Sequence, residues 1–251
     1  MSLALILVIV FCSSLVLTMI GLGGGLIFSP LFVLLNFPKG MAVSASLFLN
    51  GTAAISAAIV YVRKKMVDFS VALPLIVTAS LGAPLGALTT HRINIRIFLI
   101  VMAGVIFIAA MRMLFSGQVK EEVVEIGKWR KIFGGCLIGL VIGFISGMLG
   151  IGGGVFVVPL LIYILKVPTK IAAASSMFIV CFSSTSGFIT HASITNLDWK
   201  FILLAAIFSF TAGQIGSRIM AEKLKGKTIR RMFGIVLLLF CAKLLQKAFM
   251  G

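Results

Sequence analysis

The sequence predicts an all-α integral membrane protein with two inverted-topology repeats, each a glycine-broken helical hairpin plus three transmembrane helices. Three observations predict it: an apolar composition, a glycine motif that occurs twice, and the distribution of positive charges. Of the 251 residues, 61% are hydrophobic and 11% are charged, and the mean hydropathy is +1.22. Soluble domains do not have this composition, so we expect a polytopic membrane protein.

A glycine cluster occurs once in each half of the chain. Gly21-Leu-Gly-Gly-Gly25 is matched by Gly150-Ile-Gly-Gly-Gly154, and each copy lies inside an apolar stretch. The residues that follow also correspond: Pro30 with Pro159, Pro38 with Pro168, Ser46 with Ser176, and Asp68 with Asp198. Glycines break a helix, and backbone groups freed within a membrane are tolerated only where they line a cavity or meet a ligand. The chain is therefore a duplicated unit with a repeated break.

Apolar segments follow one another in the same order in each half. They are residues 3–20, 26–37, 41–62, 69–90 and 96–115, and then 131–149, 155–166, 171–192, 199–221 and 229–249. The first segment lacks a basic start, so we interpret it as mature structure and not as a signal peptide. The second is short: residues 26–37 would span only ~18 Å as a helix, against a hydrocarbon core of roughly 30 Å. Each glycine motif therefore joins a long helix to a partial one.

The positions of lysine and arginine indicate inverted repeats. If each broken pair returns to the side that it entered from, most basic residues share one side, including the clusters at 63–65, 128–131 and 223–231. If each pair is one continuous span, the two sides are nearly balanced, so the positive-inside rule favours the first arrangement. We expect a first membrane repeat (1–115), a cytoplasmic linker (116–130) and a second membrane repeat (131–251), with both termini extracytoplasmic.

The charged and sulfur-containing residues exclude several functions. The net charge of +16 does not indicate a nucleic-acid partner, because nearly every Lys and Arg lies between apolar segments, where it orients the chain and contacts lipid. The cysteines lack the close pairs that are typical of a metal site or a redox dithiol, so we expect no metal and no cofactor. All acidic residues lie at segment ends or in the linker, which leaves no buried carboxylate for a cation. Asp68 and Asp198 precede helices and are expected to be N-caps.

The half-helices that begin near the two glycine motifs predict an anion site. Each begins with unpaired N–H groups and the positive end of a helix dipole, and two such ends converging from opposite halves bind an anion without a charged side chain. Broken helices at matched positions of inverted repeats are typical of a secondary transporter. The alternative is that the glycines only permit close packing. The candidate substrate-binding residues are Gly21, Gly23, Gly24, Gly25, Gly150, Gly152, Gly153 and Gly154.

Polar residues on flanking helices are the other candidate ligands. Ser46 and Asn50 share one face of segment 41–62, and Ser176 and Ser183 lie in the matched segment. Gln214 lies in a region of segment 199–221 that is prone to kinking. Each either hydrogen-bonds an oxyanion or bonds one helix to another. The matched positions of Ser46 and Ser176 favour binding.

A ladder of glycines with four-residue spacing is expected to serve packing. It consists of Gly135, Gly139, Gly143 and Gly147. The equivalent places in the first half hold Ile6, Val10, Ser14 and Thr18. Such ladders allow close approach of helices within a molecule or between two copies, so a homodimer is left open.

The chain resembles the TauE/SafE sulfite exporter family, also called toluene sulfonate uptake permeases, in the stretches GLGGGLIFSPLFVLL and GMLGIGGGVFVVPLLIYIL. The resemblance extends over essentially the whole chain. It implies a carrier in the cell membrane for small sulfur-containing anions such as sulfite, sulfonates or sulfoacetate. The implied site comprises residues 21–25 and 150–154.

We therefore expect a multi-pass secondary transporter that moves such an anion across the lipid bilayer by alternating access. A passive anion channel built on the same amide groups is the first alternative, and a carrier of another small organic anion is the second. An intramembrane enzyme is disfavoured, because no nucleophile is paired with a base and no catalytic residue is predicted.

Overall fold

The computed structural model describes residues 3–35, 37, 39–89, 128–149, 154–192 and 199–250, with scattered residues between 100 and 115. The described residues are almost entirely helical, and no β-strand occurs among them. The helices are α1 (Leu3–Ile20), α2 (Gly25–Leu34), α3 (Lys39–Arg63), α4 (Phe69–Thr89), α5 (Lys128–Leu149), α6 (Gly154–Tyr163), α7 (Thr169–Ala192), α8 (Trp199–Lys223) and α9 (Gly226–Met250). The described residues between 100 and 115 are also helical and are called helix 100–115.

The helices have the length and surface of membrane spans. Within the described ranges, four are long and apolar enough to cross a membrane: Leu3–Ile20, Met41–Arg63, Thr169–Ile189 and Trp199–Lys223. Large apolar side chains cover their outward faces and those of their neighbours: Leu137 is 70% exposed and Leu239 is 66% exposed. Such a surface is unfavourable in water and suits lipid. The prediction of an all-α integral membrane protein is confirmed.

The loop between α3 and α4 shows how local sequence ends these helices. Lys65 has a φ of 53°, and the Met66 N–H donates to the Tyr61 carbonyl at 2.9 Å, which closes the end of α3. Asp68 Oδ1 accepts the Ser70 N–H at 3.0 Å, the bond expected of an N-cap. The predicted N-cap role of Asp68 is confirmed, whereas Asp198 lies outside the described residues.

The helices of the two halves pack against each other in matched pairs. α1 packs against α8 and α5 packs against α4, which are equivalent pairs once the halves are exchanged. In the same way α3 contacts α8 and α7 contacts α4, while α3 and α7 contact each other. Within each half the short helix packs on the next one, α2 on α3 and α6 on α7. The core therefore lies between the halves, around α3 and α7.

Charged residues collect at one end of the bundle. Lys64, at the end of α3, forms an ion pair with Glu222 near the end of α8. The Lys170 Nζ, at the start of α7, donates to the Ala221 carbonyl at 3.1 Å. Lys223 follows at the end of α8. We call the end marked by Lys64, Lys170 and Lys223 the basic end.

Candidate functional site

Residues 21–24, the first glycine turn, connect α1 to α2 and reverse the direction of the chain. Gly21 and Gly23 have φ values of 83° and 71°, in a region that residues with a Cβ rarely adopt. A Cβ added to Gly23 would also collide with the side-chain amide of Asn50. Both positions therefore require glycine.

The first glycine turn lies about halfway along the bundle. The end of α1 is close to the basic end, because the Tyr61 hydroxyl donates to the Thr18 carbonyl at 3.1 Å. From there the chain returns to the middle of α3, where the Gly25 N–H donates to Asn50 Oδ1 at 3.0 Å. The Ser46 hydroxyl donates to the Gly25 carbonyl at 3.3 Å. The N-terminus of α2 is thus held at mid-depth by the first half of the chain.

Side chains of the second half hold the same turn from the other side. On α7, the Ser176 hydroxyl donates to the Gly21 carbonyl at 2.8 Å. A Cβ added to Gly21 would lie 2.7 Å from the backbone of Ala173. Asn50 Nδ2 donates to Ser184 Oγ at 2.7 Å, which links α3 to α7. The first glycine turn is therefore enclosed by both halves.

The second glycine motif meets the first. Gly154 begins α6, and a Cβ added to it would lie 3.0 Å from the carbonyl carbon and 3.1 Å from the Cα of Leu22. Leu22 is part of the first glycine turn. The two motifs therefore touch at the interface between the halves. The remaining predicted glycines, Gly150, Gly152 and Gly153, lie outside the described residues.

Comparison with known families identifies the family of the chain. The sequence model of the family described as "Sulfite exporter TauE/SafE" matches residues 5–244. The chain belongs to the TauE/SafE sulfite exporter family. It is therefore a multi-pass membrane transporter and not an enzyme, as the sequence predicts.

The curated relatives of this TauE/SafE protein carry transporter names. The "Probable membrane transporter protein YunE" of Bacillus subtilis is 25% identical over an alignment of 270 positions that covers 98% of each chain. A "Probable membrane transporter protein" of Haemophilus influenzae is 26% identical, over 95% of this chain and 94% of that protein. A protein of the same description from Methanocaldococcus jannaschii, MJ0441, is 28% identical over 41% of this chain and 40% of its own. No solved structure matches the chain.

Two of the predicted ligands of this TauE/SafE protein bond to helix backbones away from the turn. The Ser183 hydroxyl donates to the Val180 carbonyl of its own helix at 3.3 Å. Gln214 Nε2 donates to the Ser56 carbonyl at 2.8 Å and joins α8 to α3. The Gln214 bond joins two helices, whereas the Ser183 bond lies within α7. The other three predicted side chains, those of Ser46, Asn50 and Ser176, contact the first glycine turn or the start of α2.

The sequence prediction does not include Ser184, which contacts Asn50. At 3.6 residues per turn, Ser183 lies about 20° from Ser176 around α7 and Ser184 lies about 80° from it, so periodicity favours Ser183. No signal in the sequence of α7 therefore identifies Ser184, which is found only through its contact with Asn50 of α3.

The polar groups around the turn are neutral. Within the described ranges, the buried polar side chains are serines, threonines and Asn50, and Arg230 is the one buried charged side chain. No group of three potential metal ligands occurs in those ranges. The electrostatic field at the turn therefore comes from the start of α2 and from amide and hydroxyl dipoles. Donors of this kind suit an anion.

Proposed function

We propose that the protein is a secondary carrier that moves small sulfur-containing anions, such as sulfite, sulfonates or sulfoacetate, across the cell membrane by alternating access. The anion binds at mid-depth, where the two glycine motifs meet. Membership of a family described as sulfite exporters supports this substrate class. The contact between Gly154 and the Leu22 backbone is the observation that carries the proposal, because it joins equivalent broken helices from both halves at one point.

Helix directions support the inverted repeats that this mechanism needs. Leu47, on the first half of α3, lies 3.3 Å from a Cβ added to Gly187, near the end of α7. The Asp68 N–H, just beyond the end of α3, donates to Ser175 Oγ near the start of α7. The equivalent helices α3 and α7 thus run antiparallel. Antiparallel equivalent helices are expected when a two-fold axis in the membrane plane relates the repeats, as in inverted repeats. An axis along the membrane normal would make them parallel.

The charge distribution supports extracytoplasmic termini. α1 and α8 run parallel, since Ser14 contacts Ser209 and the Leu15 carbonyl lies beside Gly216. α8 ends at the basic end, so α1 begins at the opposite end. α9 begins next to Lys223, at the basic end, and runs away from it. With the basic end in the cytoplasm, both termini lie outside. Residues 1–115 and 131–251 then form the two repeats, and residues 116–130 link them.

The oxyanion binds by replacing the Asn50 oxygen at the start of α2. The Gly25 N–H now donates to Asn50 Oδ1, and the hydroxyls of Ser46 and Ser176 donate to carbonyls of Gly25 and Gly21. A sulfite or sulfonate group presents three oxygens, and a charged acceptor forms stronger hydrogen bonds than a neutral amide. Because these donors are shared with backbone groups of the turn and with α7, rebinding them to substrate changes how α3 and the first glycine turn contact α7.

Counterflow of labelled sulfite into proteoliposomes tests the proposal. Purified protein is reconstituted with unlabelled sulfite inside, and entry of label by exchange is measured. Wild-type protein should exchange sulfite, with sulfonates as competitors. In Gly24→Leu the new side chain collides with the Phe28 ring, and in Gly154→Leu it collides with the Leu22 backbone. We expect exchange to fall at least about tenfold in each variant, because the binding geometry is displaced.

The control is Gly104→Leu, because no atom of the residues that the structure describes lies within 4 Å of a Cβ added to Gly104. This variant should exchange like the wild type. Sulfite conductance without counterflow would instead indicate an anion channel. Exchange of carboxylates with no sulfur anion among the substrates would indicate a carrier of another small organic anion.

A further inference from the structure

Arg230 differs from the other basic residues around it. It is 7% exposed, whereas Lys227 and Arg231 on the same helix are exposed. Its Nη1 is enclosed and has no hydrogen-bond partner within the described ranges. A buried guanidinium nitrogen without an acceptor is strongly unfavourable. This group therefore calls for an acceptor that the described part of the chain does not supply.

Arg230 lies where α9 and helix 100–115 meet at the basic end. Cys241 Sγ donates to the Ala103 carbonyl at 3.3 Å, and a Cβ added to Gly234 would lie 2.7 Å from the Leu114 side chain. The two helices are thus antiparallel. Arg230 precedes Gly234 by about one turn on the same face of α9. It is therefore close to the membrane surface on the side where α9 begins.

The start of α9 adds backbone donors beside this side chain. The Lys225 carbonyl accepts the Thr228 N–H at 2.9 Å and the Ile229 N–H at 3.1 Å, which defines the first turn of α9. Helical side chains point toward the N-terminus of their helix, so we expect the Arg230 side chain to extend toward this first turn. The helix dipole is positive there, and the exposed Lys227 adds to the positive potential.

We propose that Arg230 and the first turn of α9 bind a phosphate-type oxyanion at the membrane surface of the basic end. This site is separate from the glycine turns and does not depend on the transported substrate. The planar guanidinium donates two parallel hydrogen bonds to such a group, and the helix start supplies further N–H donors. The headgroup of an anionic phospholipid and free inorganic phosphate both offer this chemistry.

Two probes distinguish these sources. In the first arm, protein is placed in nanodiscs with an increasing fraction of phosphatidylglycerol in phosphatidylcholine. In the second, inorganic phosphate is titrated onto protein in pure phosphatidylcholine nanodiscs. The readout is the midpoint of thermal unfolding. At least one probe should raise the unfolding midpoint of the wild type and of the matched control Arg231→Gln. The probe concentration that gives half of this rise should be the same for both proteins. Arg230→Gln should require at least about tenfold more probe, as expected for loss of a charged hydrogen bond.

Each outcome decides the proposal. A response to phosphatidylglycerol alone assigns the site to a lipid headgroup, and a response to phosphate assigns it to a free oxyanion. Equal responses of Arg230→Gln and Arg231→Gln would overturn the proposal, and so would a wild type that responds to neither probe. If Arg230→Gln does not fold, Arg230→Lys takes its place, because it keeps the charge but cannot form the bidentate contact. The same weakening is then expected.

Discussion

The pairs α1/α8 and α4/α5 occupy equivalent places in the two halves but are held together differently. In the α4/α5 pair, glycines of α5 bring two backbones into direct contact. A Cβ added to Gly139 would lie 2.8 Å from the Leu75 carbonyl oxygen, and one added to Gly143 would lie 2.7 Å from the Cα of Ala79. This is the close packing that the glycine ladder predicts.

In the α1/α8 pair, hydroxyl groups connect the helices. Ser14, which stands where α5 has Gly143, lies with its Oγ 2.9 Å from Ser209 Oγ. Ser209 in turn donates to the Leu49 carbonyl of α3 at 3.0 Å. The Thr18 hydroxyl bonds to the Ser14 carbonyl within its own helix at 2.7 Å. This pair also has a glycine contact, that of Gly216 with the Leu15 carbonyl, but a chain of exchangeable hydrogen bonds is added to it.

The difference suggests which pair moves during transport. Backbone contacts between α4 and α5 are lost as soon as the helices separate, because close-packed atoms have no alternative partner. A serine or threonine hydroxyl can instead bond to a carbonyl of its own helix, as Thr18 does. We therefore expect the α1/α8 pair to shift in an alternating-access cycle while the α4/α5 pair stays fixed.

Disulfide locking of each pair tests this difference and should have the largest effect. The four native cysteines form no disulfide. They are first replaced by alanine, so that only the introduced pair can be oxidised. Ser14→Cys with Ser209→Cys would lock α1 to α8. Oxidation should abolish sulfite counterflow, and reductant should restore it.

The matched control locks α4 to α5 through Pro74→Cys with Gly135→Cys. A Cβ added to Gly135 lies 3.5 Å from the Pro74 Cβ, which is within the range of a disulfide. Oxidation of this pair should leave counterflow at the level of the reduced protein. Equal inhibition by both locks would remove the distinction between the two pairs.

Enlarging a glycine of the α4/α5 pair should cost the most stability. In Gly143→Val the new side chain meets the backbone of Ala79, so the helices must separate. We expect the free energy of unfolding in detergent to fall by about 3 kcal/mol. Gly104→Val, at an open position, should unfold like the wild type. A Gly143→Val protein as stable as that control would show that the close contact does not stabilise the fold.

Removing a hydroxyl from the α1/α8 pair should have the smallest effect. Ser14→Ala loses the contact with Ser209, but Ser209 keeps its bond to the Leu49 carbonyl. Hydrogen bonds of this kind contribute only about 1 kcal/mol within a membrane. Chemical unfolding of Ser14→Ala measures the loss in unfolding free energy. The control is Thr211→Val, on the exposed face of α8. A loss of stability as large as that of Gly143→Val would contradict the view that the two pairs are held together differently.

The helices were predictable because their signals are local. The predicted segment 26–37 corresponds to α2 (Gly25–Leu34), and the predicted segment 69–90 corresponds to α4 (Phe69–Thr89). Apolar runs define where a helix crosses the membrane, and Gly or Asp residues define where it begins or ends. The short second segment of each half was recognisable for the same reason.

The side chains of the site were less predictable because they depend on helix rotation. α7 is buried on most of its surface, so hydropathy does not distinguish Ser183 from Ser184. Only the packing of α3 against α7 places Ser184 beside Asn50. Gln214 lies in a segment prone to kinking, where both a ligand and a packing role are predicted, and its neighbour in the fold is the Ser56 carbonyl. Contacts between distant segments cannot be read from periodicity alone.

Equilibrium binding of labelled sulfite to purified protein tests most directly whether the start of α2 is the anion site. In Asn50→Asp a carboxylate takes the place of the amide oxygen that accepts the Gly25 N–H, so the site contains its own anion. Thr52→Val, on the same helix, is the control. We predict saturable binding to wild type and Thr52→Val, and binding at least about tenfold weaker to Asn50→Asp, as expected for repulsion between like charges. Equal affinity of Asn50→Asp and wild type would contradict a site at the glycine turns.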